Sequence, residues 1–122
     1  MNDYVKLGDL DLYKEAVELS RKAWKIFENF NWQDRKIIGD QFIRSSDSIG
    51  ANIAEGYGRF HYKDRVRFYY NSRGSLLETK HWILLLYERK KMNKEEFNNF
   101  LNLLTSIHKQ LNSYISSCLK SV

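Results

Sequence analysis

The chain has 122 residues, with 20 basic and 15 acidic side chains, one cysteine and no proline. This length allows one domain, and a hydrophobic fraction of 43% suffices for a core, which excludes a disordered chain. A single cysteine excludes a disulfide framework and a cysteine-based metal cluster within one chain. No apolar stretch is long enough to cross a bilayer, and the N-terminus lacks the apolar core of a secretory signal. We therefore expect a cytoplasmic protein without membrane contact.

The absence of proline favours long helices joined by short turns. Apolar spacing predicts the first helix over about residues 9–29, with a seam at alternating four- and three-residue steps. The seam comprises Leu12, Ala16, Leu19, Ala23, Ile26 and Phe30. A second apolar row makes the stripe wider than one partner helix needs, so we expect that row to be buried between subunits. Its proposed interface residues are Tyr13, Val17, Trp24 and Phe27.

The second helix is predicted over about residues 32–57 and is rich in small side chains in its second half. Gly56 and Gly58 are expected to end it. The spacing of Arg44 with Asp47 and of Glu55 with Arg59 permits ion pairs on the helix surface. Two interpretations of this helix's polar residues are open, a binding or catalytic cluster and an interhelical polar network that fixes register, and we favour the network. The residues concerned are Arg44, Asp47, Asn52 and Glu55, with Arg73 and Glu78 of the third helix.

The third helix is predicted over about residues 62–91 and the fourth over about 94–120, opened by a capping box of Asn93 and Glu96. We expect one side of the third helix to carry Val66, Tyr70, Leu77, Leu84 and Tyr87, with Leu76 and Ile83 beside them. The expected seam of the fourth is Phe97, Leu101, Leu104, His108, Leu111, Ile115 and Cys118. Short connections make neighbouring helices antiparallel, so residues 1–122 are predicted to form one all-α, up-down-up-down four-helix bundle.

Residues that could carry catalysis or hold a metal are scattered. No histidine is followed three or four residues later by a glutamate or a cysteine that could complete a metal site with it. We expect His108 to be a hydrogen-bonded core histidine and Cys118 to pack as a small hydrophobe. Neither a phosphate loop nor a nucleophile elbow is present. We therefore predict no metal, no cofactor and no enzymatic activity.

A basic stretch follows the second helix. Between residues 59 and 73 it has one acid, Asp64, against five basic residues, Arg59, Lys63, Arg65, Arg67 and Arg73. These cations could grip phosphates, and exposed aromatics could stack on unpaired bases. The interleaved aromatics are Phe60, Tyr62, Phe68, Tyr69 and Tyr70; we expect them to turn inward. A second cluster, Arg89, Lys90, Lys91 and Lys94, is expected at the opposite end of the bundle.

Residues 43–59, followed by Gly74, Ser75 and Glu78, resemble the four-helix-bundle proteins encoded in intervening sequences of bacterial 23S ribosomal RNA genes. The positions that match the family pattern are Asn52, Glu55, Gly56, Gly58, Arg59, Gly74, Ser75 and Glu78. The resemblance implies a small cytoplasmic bacterial protein that assembles as a ring-like homopentamer. Similar proteins include the accessory variability determinant of diversity-generating retroelements, which binds nucleic acid and a reverse transcriptase.

Two functional hypotheses follow. In the first, the chain is a non-enzymatic, oligomeric nucleic-acid-binding protein that contacts phosphates, with RNA favoured over DNA. In the alternative, it is a scaffold that binds a protein partner, such as a polymerase, and has no direct nucleic-acid role.

Overall fold

The structure, a computed structural model, describes residues 6–122 and is built there from helices and short turns. A single 3-10 turn at Leu7–Asp9 precedes helix α1, Asp11–Glu28. Helix α2 covers residues 32–57, α3 covers Tyr62–Glu88 and α4 covers Lys94–Ser121. Each helix packs against the next in the chain, and α4 closes against α1. This confirms the predicted all-α four-helix bundle.

Helix α1 buries the seam predicted for it, from Leu12 to Phe30. The Asn31 side chain accepts a hydrogen bond from the Asp34 amide at 2.8 Å, which caps α2 as expected. One π-helical turn at Arg35–Gly39 interrupts α2 before the regular segment Asp40–Tyr57. Gly39 lies against Phe27, where an added Cβ would come within 2.9 Å of the phenyl ring. A larger residue at Gly39 would therefore push α1 and α2 apart.

Buried hydroxyl groups join α2 to α3. Ser72 donates to the Ile49 carbonyl at 2.8 Å, and the Thr79 and Ser45 hydroxyls lie 2.9 Å apart. Ser75 likewise bonds to Ser48 at 2.9 Å. Because each buried hydroxyl has a partner, the two helices can pack through small polar side chains without a desolvation penalty.

The apolar residues predicted along α3 do not all lie on one buried face: Val66, Leu76 and Ile83 are buried, whereas the rest of the row is not. Tyr70, Leu77 and Leu84 are exposed. The buried seam comprises Val66, Tyr69, Ser72, Leu76, Thr79, Ile83 and Leu86. Two of its members, Ser72 and Thr79, have hydroxyl groups that bond to α2, so apolar spacing alone did not identify this seam.

The predicted seam of α4 is wrong in its first half. Phe100 and Ile107 are buried, whereas Phe97, Leu101 and His108 are only partly buried. No hydrogen bond of the His108 side chain is among those of the described residues, so it is not the hydrogen-bonded core histidine we expected. Cys118 is buried, as predicted. Desolvation raises the pKa of the Cys118 thiol, as burial in apolar surroundings does.

Helix α3 ends at Glu88, three residues before the predicted boundary. Lys90 takes a left-handed conformation with φ 62°, and the Lys91 amide donates to the Leu86 carbonyl at 2.8 Å. This pairing is typical of a Schellman-type helix end. Lys90 and Lys91 therefore lie beyond the helix rather than in its last turn. In the described part of the chain, no helix combines the length and apolarity needed to span a membrane.

Candidate nucleic-acid interface

A tight turn over residues 58–61 joins α2 to α3 and positions the first half of the basic stretch. The Gly58 amide donates to the Ala54 carbonyl, and the Arg59 amide donates to the Gly56 carbonyl, both at 3.1 Å. At Gly56 an added Cβ would lie 2.8 Å from the buried Tyr69 ring. The end of α2 therefore lies directly against the first turns of α3.

Arg59 and Arg65 are half-buried and hold this turn together. Arg59 donates to Glu55 at 2.8 Å, which is the ion pair predicted from their spacing. Its guanidinium also lies over the Phe68 ring, 4.8 Å from the centroid. The Arg65 Nε atom donates to the Arg59 carbonyl at 2.6 Å. Each of these two arginines is thus anchored within the chain by one side-chain hydrogen bond.

Lys63 and Arg67 differ from Arg59 and Arg65 because both are exposed. Neither of them belongs to the ion pairs of the described residues. The Arg67 guanidinium lies 5.2 Å from the Phe68 centroid, on the same ring that Arg59 contacts. Phe60 is 87% exposed beside them. The surface formed by Arg59, Phe60, Lys63 and Arg67, here called the turn surface, therefore combines accessible cations with an accessible aromatic ring.

The other aromatics of the basic stretch include both buried and exposed side chains. Tyr69 is buried, as expected, and burial raises its pKa to about 12. Phe68 is half-buried, but Tyr62 and Tyr70 are exposed. The exposure of Phe60 was not foreseen; its position in the turn, outside any helical seam, is the sequence signal that could have indicated it.

Arg73 does not join the turn surface. Its guanidinium donates to the Asn112 side chain of α4 at 2.8 Å and lies 5.1 Å from the Tyr70 centroid. Arg73 is therefore held at the boundary between α3 and α4. The structure brings Arg59, Lys63, Arg65 and Arg67 together and leaves this fifth predicted residue apart.

The second basic cluster lies at the other end of α3. Arg89, Lys90, Lys91 and Lys94 are all exposed, and Lys91 forms an ion pair with Asp34 at 2.9 Å. The 27 residues of α3 separate the two clusters by about 40 Å at 1.5 Å per residue. They form two distinct patches on one chain, as predicted.

Positive charge is concentrated in the second half of the chain. Residues 59–122 contain 12 of the 20 basic residues and five of the 15 acidic ones. Helices α3 and α4 with their turns are therefore strongly basic, whereas residues 1–58 have a slight excess of acids. Such an asymmetric field favours an anionic partner on the α3–α4 side.

The remaining polar residues of the predicted network have mixed roles. Asn52 bonds to Ser48 within α2, and Glu78 accepts from Trp82 within α3. Among the family-pattern residues, Ser75 bonds from α3 to the Ser48 side chain of α2. Arg44 and Asp47 are both exposed, and the ion pair their spacing permits is not among those of the described residues.

The proposed interface row of α1 is mostly half-buried. Tyr13, Val17 and Phe27 are partly covered, and Phe27 also lies beneath the Arg35 guanidinium at 4.9 Å. Trp24 is 51% exposed and stacks on Phe27 with ring centroids 5.3 Å apart. Trp24 is thus the member of this row that offers a large free apolar surface.

Groups that could bind a metal do not converge in residues 6–122, where no three histidine, cysteine or acidic side chains come together.

Comparison with known proteins gives a family match and a structural match. Residues 8–113 match the family described as 23S rRNA-intervening sequence protein. The fold is similar to a crystal structure of a protein of unknown function from the S23 ribosomal protein family of Bacteroides thetaiotaomicron VPI-5482, with a TM-score of 0.79 and 26% sequence identity. That similarity covers 85% of this chain and 97% of the other. No curated protein matches.

Proposed function

The chain belongs to the 23S rRNA-intervening sequence protein family, and we propose that it is a non-enzymatic, cytoplasmic RNA-binding protein that acts as an assembly of its own copies. The observation that carries this proposal is the turn surface, where exposed Lys63 and Arg67 lie beside the 87% exposed Phe60. Lys63 and Arg67 contact phosphates. Arg59, which also forms an ion pair with Glu55, contributes a third cation.

Phe60 gives a reason to favour RNA over duplex DNA. An exposed ring can stack on an unpaired base, and unpaired loops and bulges are the parts of RNA that proteins commonly recognise. The contacts of one copy are few, so affinity depends on repeating them. Assembly into a ring, such as the homopentamer that the family resemblance implies, would present several turn surfaces to one RNA and raise its avidity.

The proposal is tested by fluorescence anisotropy with a labelled stem-loop RNA over a range of salt concentrations. We expect Lys63→Glu combined with Arg67→Glu to weaken binding by at least tenfold. We also expect the slope of log affinity against log salt to fall by about 1 for each cation lost from each bound copy. Phe60→Ala should weaken binding to the loop more than binding to a fully paired duplex.

The matched control is Arg89→Glu combined with Lys94→Glu, which makes the same charge change at the opposite end of the bundle. Binding lost equally in both variants would show that net charge, and not the turn surface, determines affinity. A folded wild-type protein that binds no RNA but retains a copurifying protein after nuclease treatment would overturn the proposal in favour of the scaffold alternative.

A further inference from the structure

We propose that the second half of α4 binds the paired stem of an RNA whose unpaired nucleotides lie on the turn surface. This inference rests on the RNA binding proposed above and adds the class of RNA, a stem next to a loop. The surface concerned, here called the α4 face, consists of side chains that are all exposed. It comprises Thr105, Lys109, Asn112, Ser113, Ser116 and Lys120.

The first feature of the α4 face is its charge. No acidic side chain occurs between residues 97 and 122, although a merely solvated helix face commonly carries charges of both signs. Lys109 and Lys120 are outside the ion pairs of the described residues. Arg73 of α3 borders the face, because its guanidinium donates to the Asn112 side chain at 2.8 Å. The face therefore offers cations without carboxylates, as binding to nucleic-acid phosphates requires.

The second feature is the set of side chains between the two lysines. Serine, threonine and asparagine are poorer helix formers than alanine, glutamate or lysine, and at these exposed positions they add nothing to the core. Hydroxyl groups in helices often donate to the carbonyl four residues earlier, as Ser113 does to Lys109 at 3.3 Å. No hydrogen bond of the Thr105 or Ser116 hydroxyl is among those of the described residues. Both hydroxyl groups can therefore bond to a ligand.

Small side chains that both donate and accept hydrogen bonds match the minor groove of duplex RNA. That groove is wide and shallow and displays the 2′-hydroxyl groups, so proteins recognise paired RNA there through 2′-hydroxyl and phosphate contacts. Hydroxyl and amide side chains can pair with a 2′-hydroxyl in either direction. Because DNA has no 2′-hydroxyl group, the α4 face favours a paired stem of RNA over one of DNA.

The third feature is that the α4 face continues into the turn surface. Ser121, at the end of α4, lines a depression together with Phe60 and Lys63 of the turn surface. Lys120, the last member of the α4 face, directly precedes Ser121. A stem-loop with an unpaired nucleotide at Phe60 can therefore lay its stem along α4 toward Thr105.

The length of the α4 face determines how much of a stem it can contact. Thr105 and Lys120 are 15 residues apart, which is about 22 Å at 1.5 Å per residue. With base pairs at most about 3.4 Å apart along a duplex, the face covers at least about six of them. We expect affinity to rise as the stem is lengthened to about six base pairs and to change little beyond that.

The test is fluorescence anisotropy with three labelled probes: an RNA stem-loop, the same molecule with a 2′-deoxy stem, and the single-stranded loop RNA alone. We expect wild type to bind the all-RNA stem-loop at least about threefold more tightly than the probe with the deoxy stem. The α4 charge variant is Lys109→Glu with Ser113→Glu. It should bind the all-RNA stem-loop at least about fivefold more weakly than wild type and bind single-stranded RNA as wild type does.

The matched control is Lys36→Glu combined with Gln41→Glu, which makes the same charge change at exposed positions of α2. This control should bind all three probes much as wild type does. A difference between the two variants that is confined to probes with a stem would identify the α4 face rather than net charge as the cause.

A second variant removes hydroxyl groups without changing charge: Thr105→Ala with Ser113→Ala and Ser116→Ala. Because alanine is the better helix former, this variant should unfold at a higher temperature than wild type. It should nevertheless lose the preference for the RNA stem over the deoxy stem. Gln33→Ala combined with Gln41→Ala is the control, since both glutamines are exposed on α2, and it should keep the preference. A merely structural role of the three hydroxyl groups would leave this preference unchanged.

The outcomes separate this inference from the proposed function. Equal binding of RNA and deoxy stems by wild type, or an α4 charge variant that behaves like its α2 control, would overturn the inference and leave the proposed function intact. Equal loss of stem-loop and single-stranded RNA binding in that variant would also overturn it. Failure of folded wild type to bind any probe would overturn the proposed function as well. Stem binding that survives the loss of Lys63 and Arg67 would support the α4 face and contradict only the turn surface.

Discussion

Lys63 and Arg67 differ from Arg59 and Arg65 in the groups that their charged side-chain ends contact within the chain. The two half-buried arginines bind Glu55, a carbonyl group and aromatic rings, whereas the other two are exposed and outside the ion pairs of the described residues. The sequence identified the basic stretch but could not rank its members. That ranking depends on how closely the end of α2 approaches α3, which Gly56 allows.

Gly56→Ala should destabilise the fold. The new Cβ would lie 2.8 Å from the Tyr69 ring and 3.1 Å from the Phe68 Cβ, and Tyr69 is too deeply buried to move aside. Overpacking of this kind costs about 1–3 kcal/mol, which exceeds the gain of about 1 kcal/mol in helix propensity. Urea unfolding should show a lower midpoint with an unchanged slope. A midpoint at or above that of wild type would contradict the close contact.

Helix α3 shows why the sequence predicted the architecture but not every buried face. Both sides of α3 carry large apolar residues, so periodicity gives two candidate seams. The seam that is buried includes Ser72 and Thr79, which are acceptable there because their hydroxyl groups bond to α2. Such pairing across helices depends on tertiary contacts. The buried seam of α1, by contrast, was predicted residue by residue.

His108, at the boundary of α4 with α3, should make stability depend on pH. Desolvation lowers the pKa of His108 below its usual 6.5, and Lys80 and Arg73 lower it further. The unfolded chain therefore binds this proton at a higher pH than the folded chain does. The stability due to neutral His108 is fully present above pH 6.5 and is lost as the pH falls through the folded-state pKa.

His108→Gln removes this titration. Urea midpoints measured between about pH 7.5 and about pH 5 should fall more for wild type than for the variant. His61→Gln is the control, since His61 is exposed in the turn between α2 and α3. Equal pH dependence in wild type and His108→Gln would show that His108 does not carry the effect.

At the scale of the whole molecule, the two halves of the chain carry opposite net charge. Residues 59–122 hold 12 of the 20 basic residues and five of the 15 acidic ones. This asymmetry supports the proposed function, since the basic half of the chain attracts an anionic partner such as RNA. Apolar spacing, the absence of proline and short connections predicted the bundle. The turn surface required knowing which cations and rings the bundle leaves exposed.

The central claim is that the chain is a self-assembling RNA-binding bundle. The most direct test is light scattering during size exclusion, with the 260/280 nm absorbance ratio recorded before and after nuclease treatment and a high-salt wash. We predict an assembly heavier than the 14.6 kDa chain that carries nucleic acid, releases it in salt and remains assembled. A folded 14.6 kDa monomer that carries no nucleic acid and takes up no added RNA would contradict the account.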